Sequence, residues 1–118
     1  MLSEVDRAVE EGQASVALVD AAWQRIRQHL KDEKQRIFQE IRQYPPPIPA
    51  CDVHFNTLLE ERATILQESR QLAQIRQQNL TAEEQLQLLD AFMRSSYHVS
   101  AELEEEIRQE VGPLFAGG

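Results

Sequence analysis

The chain has 118 residues, enough for one domain that buries roughly two thirds of the surface its unfolded form exposes. A net charge of −8 opposes binding to phosphate backbones or anionic lipid, because long-range repulsion must be overcome before any local patch can act. The one cysteine rules out an internal disulfide, and no apolar run approaches the roughly 20 residues that span a bilayer.

Glycine and aromatic residues are scarce while Gln, Glu, Leu, Arg and Ala dominate, which is a helix-former's alphabet. The opening MLSEVDRAVEEG is acidic where an export signal is basic and then apolar, so the expected location is the cytoplasm.

From Leu2 to Tyr44 apolar residues recur in alternating steps of three and four. Leu2, Val9, Val16, Trp23, Leu30, Ile37 and Tyr44 stand seven apart, with Val5, Gly12, Val19 and Ile26 between them until Glu33 and Glu40 break the second row. The pattern predicts an amphipathic helix over 3–44 with coiled-coil-like packing. Ser3 is the expected cap, and Glu4 and Asp6 lie where the helix dipole favours negative charge. Gly12 and the polar KDEKQR at 31–36 are the places where this helix could bend.

The stretch ASVALVDAAW at 14–23 is apolar almost all round, and Leu18 with Ala14 and Ala21 makes a second face away from the main stripe. Such a segment needs neighbours on more than one side, either another helix of the chain or a second subunit. The expected subunit contact therefore comprises Val9, Val16, Leu18, Trp23 and Ile26.

Four prolines within five residues then end the helix, since each lacks an amide donor and disfavours helical geometry in the residue before it. A turn over 45–51 follows. Asp52 caps a second predicted helix over 53–78, through Phe55, Leu58, Leu59, Ile65, Leu66, Leu72 and Ile75, with Glu60, Glu61 and Glu68 expected to face mostly outward. Thr81 and Glu84 form a capping box that opens a third helix over 82–95. The surrounding LTAEEQ resembles the Leu-Thr-x-x-Gln element of periplasmic helical chaperones, but its glutamine falls one place late, so it is read as a cap and implies no family. Ser100 caps a fourth helix over 101–111, and Gly112 and Pro113 are expected to stop it and leave 112–118 as a tail.

At about 1.5 Å per residue the first helix would be on the order of 60 Å long, and the second and third together would match it. The expected fold is all-α: a long antiparallel helical hairpin with the prolines at its tip, plus two shorter helices, in a single bundle-like domain completed by dimerisation.

Chemistry has three candidate constellations. Cys51 and His54 offer a soft and a borderline ligand close together, and His98 could add a third, yet a structural zinc site needs four; the expectation is no metal and no cofactor. Glu102, Glu105 and Glu106 could hold magnesium as in helical nucleotide hydrolases, but that chemistry needs a second inward-facing acidic pair, so a solvated acidic flank is expected. No nucleophile elbow or phosphate loop is present. The basic stretch Arg25, Arg27, Lys31, Lys34 and Arg36 is interrupted by Asp32 and Glu33 and has no aromatic ladder, which reads as a solvated helix flank rather than a nucleic-acid site.

The segment Tyr44, Pro45, Pro46, Pro47, Ile48, Pro49 is a polyproline II candidate, either a stiff spacer or a rigid recognition element that loses little entropy on binding. The expected function is a non-enzymatic helical protein–protein interaction module, an adaptor, assembly factor or regulatory subunit, with a protein partner, homodimeric, and binding neither nucleic acid nor membrane. The second expectation is a small-ligand or metal-binding regulator using the Cys51/His54 region; the third is a magnesium-dependent helical nucleotide hydrolase.

Overall fold

The structure is a computed structural model that describes residues 4–46 and 52–116, with side chains described over 16–46 and 52–114. These residues form four α-helices and no strand: α1 Glu4–Gln43, α2 Val53–Gln77, α3 Ala82–Ser95 and α4 Ala101–Ala116. Ser3 lies outside the described residues. The 40-residue α1 passes through Gly12 and 31–36 without a break. No described helix is long and apolar enough to cross a membrane.

The chain packs as two compact units, to both of which α1 contributes: Met1–Ile26 with Gln78–Gly118, and Arg27–Gln77. In the first unit, α1 buries Val19, Ala22, Trp23 and Ile26; α3 buries Leu89, Phe92 and Met93; and α4 buries Ile107 and Val111. The seven-residue spacing explains the choice, because residues three and four apart share one helix face. Trp23 meets the Phe92 ring edge-on at 5.9 Å, a favoured aromatic geometry. Its indole N–H is buried with no acceptor, so the residue is held by packing against the cost of an unmade hydrogen bond.

Short polar signals join the helices of this unit. The Thr81 hydroxyl accepts the Glu84 N–H at 3.1 Å while the Glu84 carboxylate accepts the Thr81 N–H at 3.2 Å, completing the predicted capping box. Ser96 closes α3 by donating its N–H to the Phe92 carbonyl at 2.9 Å. Its hydroxyl then accepts the His98 and Val99 N–H groups at 3.2 and 3.0 Å, which turns the chain toward Ser100. Ser100 caps α4 by accepting the Leu103 N–H at 3.1 Å. Between α3 and α4, Arg108 reaches Asp90 at 2.8 Å and Glu104 at 2.9 Å, and Arg94 reaches the same aspartate at 3.1 Å. These guanidinium partners, Arg108 foremost, hold the Asp90 carboxyl below its usual range. Arg25 of α1 bridges Glu106 and Glu110 of α4.

In the unit formed by 27–77, Leu30 and Ile37 of α1 and Leu58, Ile65 and Leu72 of α2 are buried at seven-residue intervals. Three residues after Leu30, Ile37, Leu58 and Ile65 the positions are acidic, Glu33 and Glu40 on α1 and Glu61 and Glu68 on α2, whereas Leu72 is followed by Ile75. Glu68 is 5% exposed, which corrects the expectation that it faces outward. The reason is its register: three residues after Ile65 and four before Leu72, it lies on the face both bury. Arg36 collects Glu33 at 2.9 Å, Glu40 at 3.2 Å and Glu61 at 3.8 Å. The Glu33 hydrogen bond above all raises the Arg36 pKa further.

A second correction concerns α4, which continues through Gly112 and Pro113 to Ala116 instead of stopping at 111. Gly112 has an ordinary helical backbone with no positive φ, and the buried Val111 and half-buried Leu114 anchor the turn that contains the proline. Pro113 has no N–H to donate within the last turn of α4, a local cost that the burial of Val111 opposes. A Cβ at Gly112 would meet nothing within 4 Å. Gly112→Ala is therefore expected to stabilise the protein by about 0.5–1 kcal/mol in urea unfolding, whereas Ile107→Ala, truncating a fully buried side chain, should destabilise it by about 2–5 kcal/mol.

Candidate functional site

The prolines bound a site built from the last residue before them and the first turn of α2. Tyr44 follows α1 directly, its N–H donating to the Ile41 carbonyl at 3.3 Å in a tightened last turn. Its hydroxyl donates to Asp52 Oδ1 at 2.8 Å, and the same oxygen accepts the Phe55 N–H at 2.9 Å. Asp52 is thus the predicted cap of α2 and also the anchor of Tyr44. The Tyr44 ring stacks at a tilt on Phe55, 5.2 Å between centroids, and on His54 at 5.6 Å. Pro45 and Pro46 leave this cluster exposed to solvent.

The Phe55 amide, the Tyr44 hydroxyl and, more weakly, the nearby His54 hold the Asp52 carboxyl below its usual range, because each favours the charged form. The hydrogen bond to Asp52, desolvation and the aspartate's charge together push the Tyr44 phenol up. Tyrosine and aspartate therefore keep each other in the neutral and ionised forms that bond best.

Pro47, Ile48, Pro49, Ala50 and Cys51 lie outside the described residues. His54 is exposed on the first turn of α2 with its ring against Tyr44. His98 is buried in the α3–α4 connection, with the Tyr97 ring at 5.1 Å. Among the described residues no group of three or more His, Cys, Asp or Glu is placed to hold a metal ion. On α4, Glu102, Glu105 and Glu106 are exposed, with Glu106 paired to Arg25. Glu104, Glu105, Arg108 and Gln109 line a shallow open depression beside Ala101.

Of the residues expected at a subunit contact, Val9 lies outside the described side chains. Trp23 and Ile26, at 1% and 0% exposure, are buried within the chain, with the Phe92 ring of α3 against Trp23; of the two neighbours the sequence left open, another helix of the chain is the one seen beside Trp23. Val16 and Leu18 are each 41% exposed. Nothing local in the sequence marks Tyr44 and Asp52 as partners, eight residues apart across the prolines; the close approach of the two helix ends makes them so. No protein-family model, curated protein or solved structure matches this chain.

The site predicts a pH signature. Because the folded Asp52 pKa lies below the unfolded value of about 3.9, its contribution to stability is complete above that value and is lost as pH falls through the folded one. Because the folded Tyr44 pKa lies above about 10, its contribution is complete below that value and is lost as pH rises through the folded one. Thermal melting from pH 2 to 11 should show Asp52→Asn with a flatter acid limb than wild type and Tyr44→Phe with a flatter alkaline limb.

Proposed function

We propose that this chain is a non-enzymatic helical protein–protein interaction module, an adaptor, assembly factor or regulatory subunit. In this reading α1 and α2 form a long antiparallel hairpin, the proline segment is its tip, and a cytoplasmic homodimer forms through the N-terminal half of α1. Contacts support the hairpin: Tyr44 meets Asp52 and Phe55, while Arg36, two turns back along α1, meets Glu61, farther along α2. Continued at that register, Ile37 faces Glu61, Leu30 faces Glu68, Glu33 faces Ile65 and Glu40 faces Leu58. Each layer then sets one aliphatic side chain against one carboxylate.

The observation that carries the interaction reading is the Tyr44–Asp52–Phe55 lock. It ties both ends of the proline segment to one point while Pro45 and Pro46 remain exposed. A segment pinned at both ends and stiffened by proline loses little entropy when bound, which suits it to recognition. Val16 and Leu18 support the subunit contact, being large apolar residues left uncovered on α1.

Two experiments test this. Replacing Pro45, Pro46 and Pro47 by Gly-Ser-Gly should abolish partner capture while leaving the helical melting curve unchanged; undiminished capture removes the tip from the proposal. Multi-angle light scattering should give twice the chain mass for the wild type and the monomer mass for Val16→Glu/Leu18→Glu, and a monomeric wild type removes the dimer.

A further inference from the structure

The hairpin register leaves one face of the 27–77 unit unlike the others. On α1 the residues 27, 31, 34, 38 and 41 fall at alternating steps of four and three, and on α2 so do 55, 59, 62 and 66; each set forms a single stripe. Phe38, Ile41, Phe55, Leu59 and Leu66 on these stripes are half-buried. At the spacing of the Tyr44–Phe55 and Arg36–Glu61 contacts, Ile41 lies level with Phe55, Phe38 with Leu59 and Lys34 with Arg62. The strip is therefore continuous across both helices.

Every charged residue on the two stripes is a cation, Arg27, Lys31, Lys34 and Arg62, and the carboxylate nearest the strip, Asp52 at its proline end, is held by Tyr44 and the Phe55 amide. The carboxylates Glu33, Glu40 and Glu61 lie on other faces, gathered by Arg36. Among the described residues Arg27, Lys31 and Arg62 have no acidic partner, and Lys34 lies over the Phe38 ring with its nitrogen 5.9 Å from the centroid. Setting Lys34 level with Arg62 without an anion is unfavourable in the free protein and becomes favourable when a carboxylate arrives between them.

We propose that this strip is a docking groove for an acidic amphipathic helix of a partner protein. It rests on the hairpin reading above and names the partner's chemistry. The helix lays an apolar stripe of i, i+3, i+4, i+7 spacing on Phe38, Ile41, Leu59 and Leu66, and its flanking Glu or Asp residues pair with Lys34 and Arg62. A second copy fits poorly, since symmetric pairing sets the cationic flanks against each other. Duplex DNA presents no apolar stripe to cover Phe38, Ile41, Leu59 and Leu66, which a helix face supplies.

The test uses the full chain and two synthetic helical peptides of about 20 residues, both with leucine at helical i, i+3, i+4, i+7 spacing, one flanked by glutamate and the other by lysine. Fluorescence anisotropy should show binding of the glutamate peptide, at least tenfold weaker binding of the lysine peptide, and a comparable loss for the glutamate peptide with Lys34→Glu/Arg62→Glu or with Leu59→Gln. Circular dichroism confirms that both variants keep their helical content, and added salt should weaken the interaction. Equal binding of the two peptides, no binding of either, an effect of Leu59→Gln on oligomeric mass instead, or preferential binding of phosphatidylserine vesicles or duplex DNA would each overturn the proposal. In a Cys51→Ser background, a short bis-maleimide should link Phe38→Cys to Leu59→Cys within one chain. Failure to link refutes the hairpin, whereas linking without peptide binding refutes only the groove's occupant.

Discussion

A 40-residue helix cannot bury its own apolar stripe, and this constraint organises everything else in the molecule. Residues at seven-residue intervals along α1, from Trp23 through Leu30 to Ile37, are almost entirely removed from water. The N-terminal part of that stripe is covered by α3 and α4, and the remainder packs in the unit that contains α2. Burying a large aliphatic or aromatic side chain is worth about 1.5–3 kcal/mol, so these positions outweigh any single cap or ion pair. Gly12 and the polar run at 31–36 weaken the helix locally, by about 1 kcal/mol for the glycine, too little to break a stripe buried on this scale.

Charge is distributed by a different rule in each unit. Around α4, arginines are matched to several carboxylates each: Arg25 to Glu106 and Glu110, Arg108 to Asp90 and Glu104. Most of the acidic excess of the chain lies in that unit. Within 27–77 the carboxylates occupy positions that a coiled coil fills with aliphatic residues, and Arg36 alone draws three of them together. Glutamates in that row leave fewer apolar side chains to bury than an all-aliphatic row would. The Tyr44–Asp52 hydrogen bond and the stacking of Tyr44 on Phe55 add a separate tie at the proline-bounded end.

Much of the secondary structure was legible because its signals are local. Thr81 with Glu84, Ser100 and Asp52 each satisfy amides within three residues of themselves, and such contacts need no knowledge of the rest of the chain. The end of α4 was misread for the converse reason. Gly112 and Pro113 are local stop signals, and they were overridden by the burial of Val111, which depends on helices distant in sequence. Glu68, expected outward from the apolar stripe of α2, is buried because its spacing from Ile65 and Leu72 puts it on the face they bury. The candidate site was half visible: Tyr44, Asp52 and His54 stood out as residues, but their mutual contacts did not.

By itself, then, the sequence determined that this chain is all-helical and where three of its helices begin, since periodicity and capping act over a few residues at a time; that α1 runs unbroken through Gly12 and 31–36 is seen only in the structure. Only the tertiary structure decided that Trp23 and Ile26 belong to the chain's own core, that Arg36 draws three glutamates together, and that Tyr44 bonds to the cap of the next helix. Those outcomes depend on which faces meet, and a hydrophobic stripe specifies that it must be covered without specifying by what.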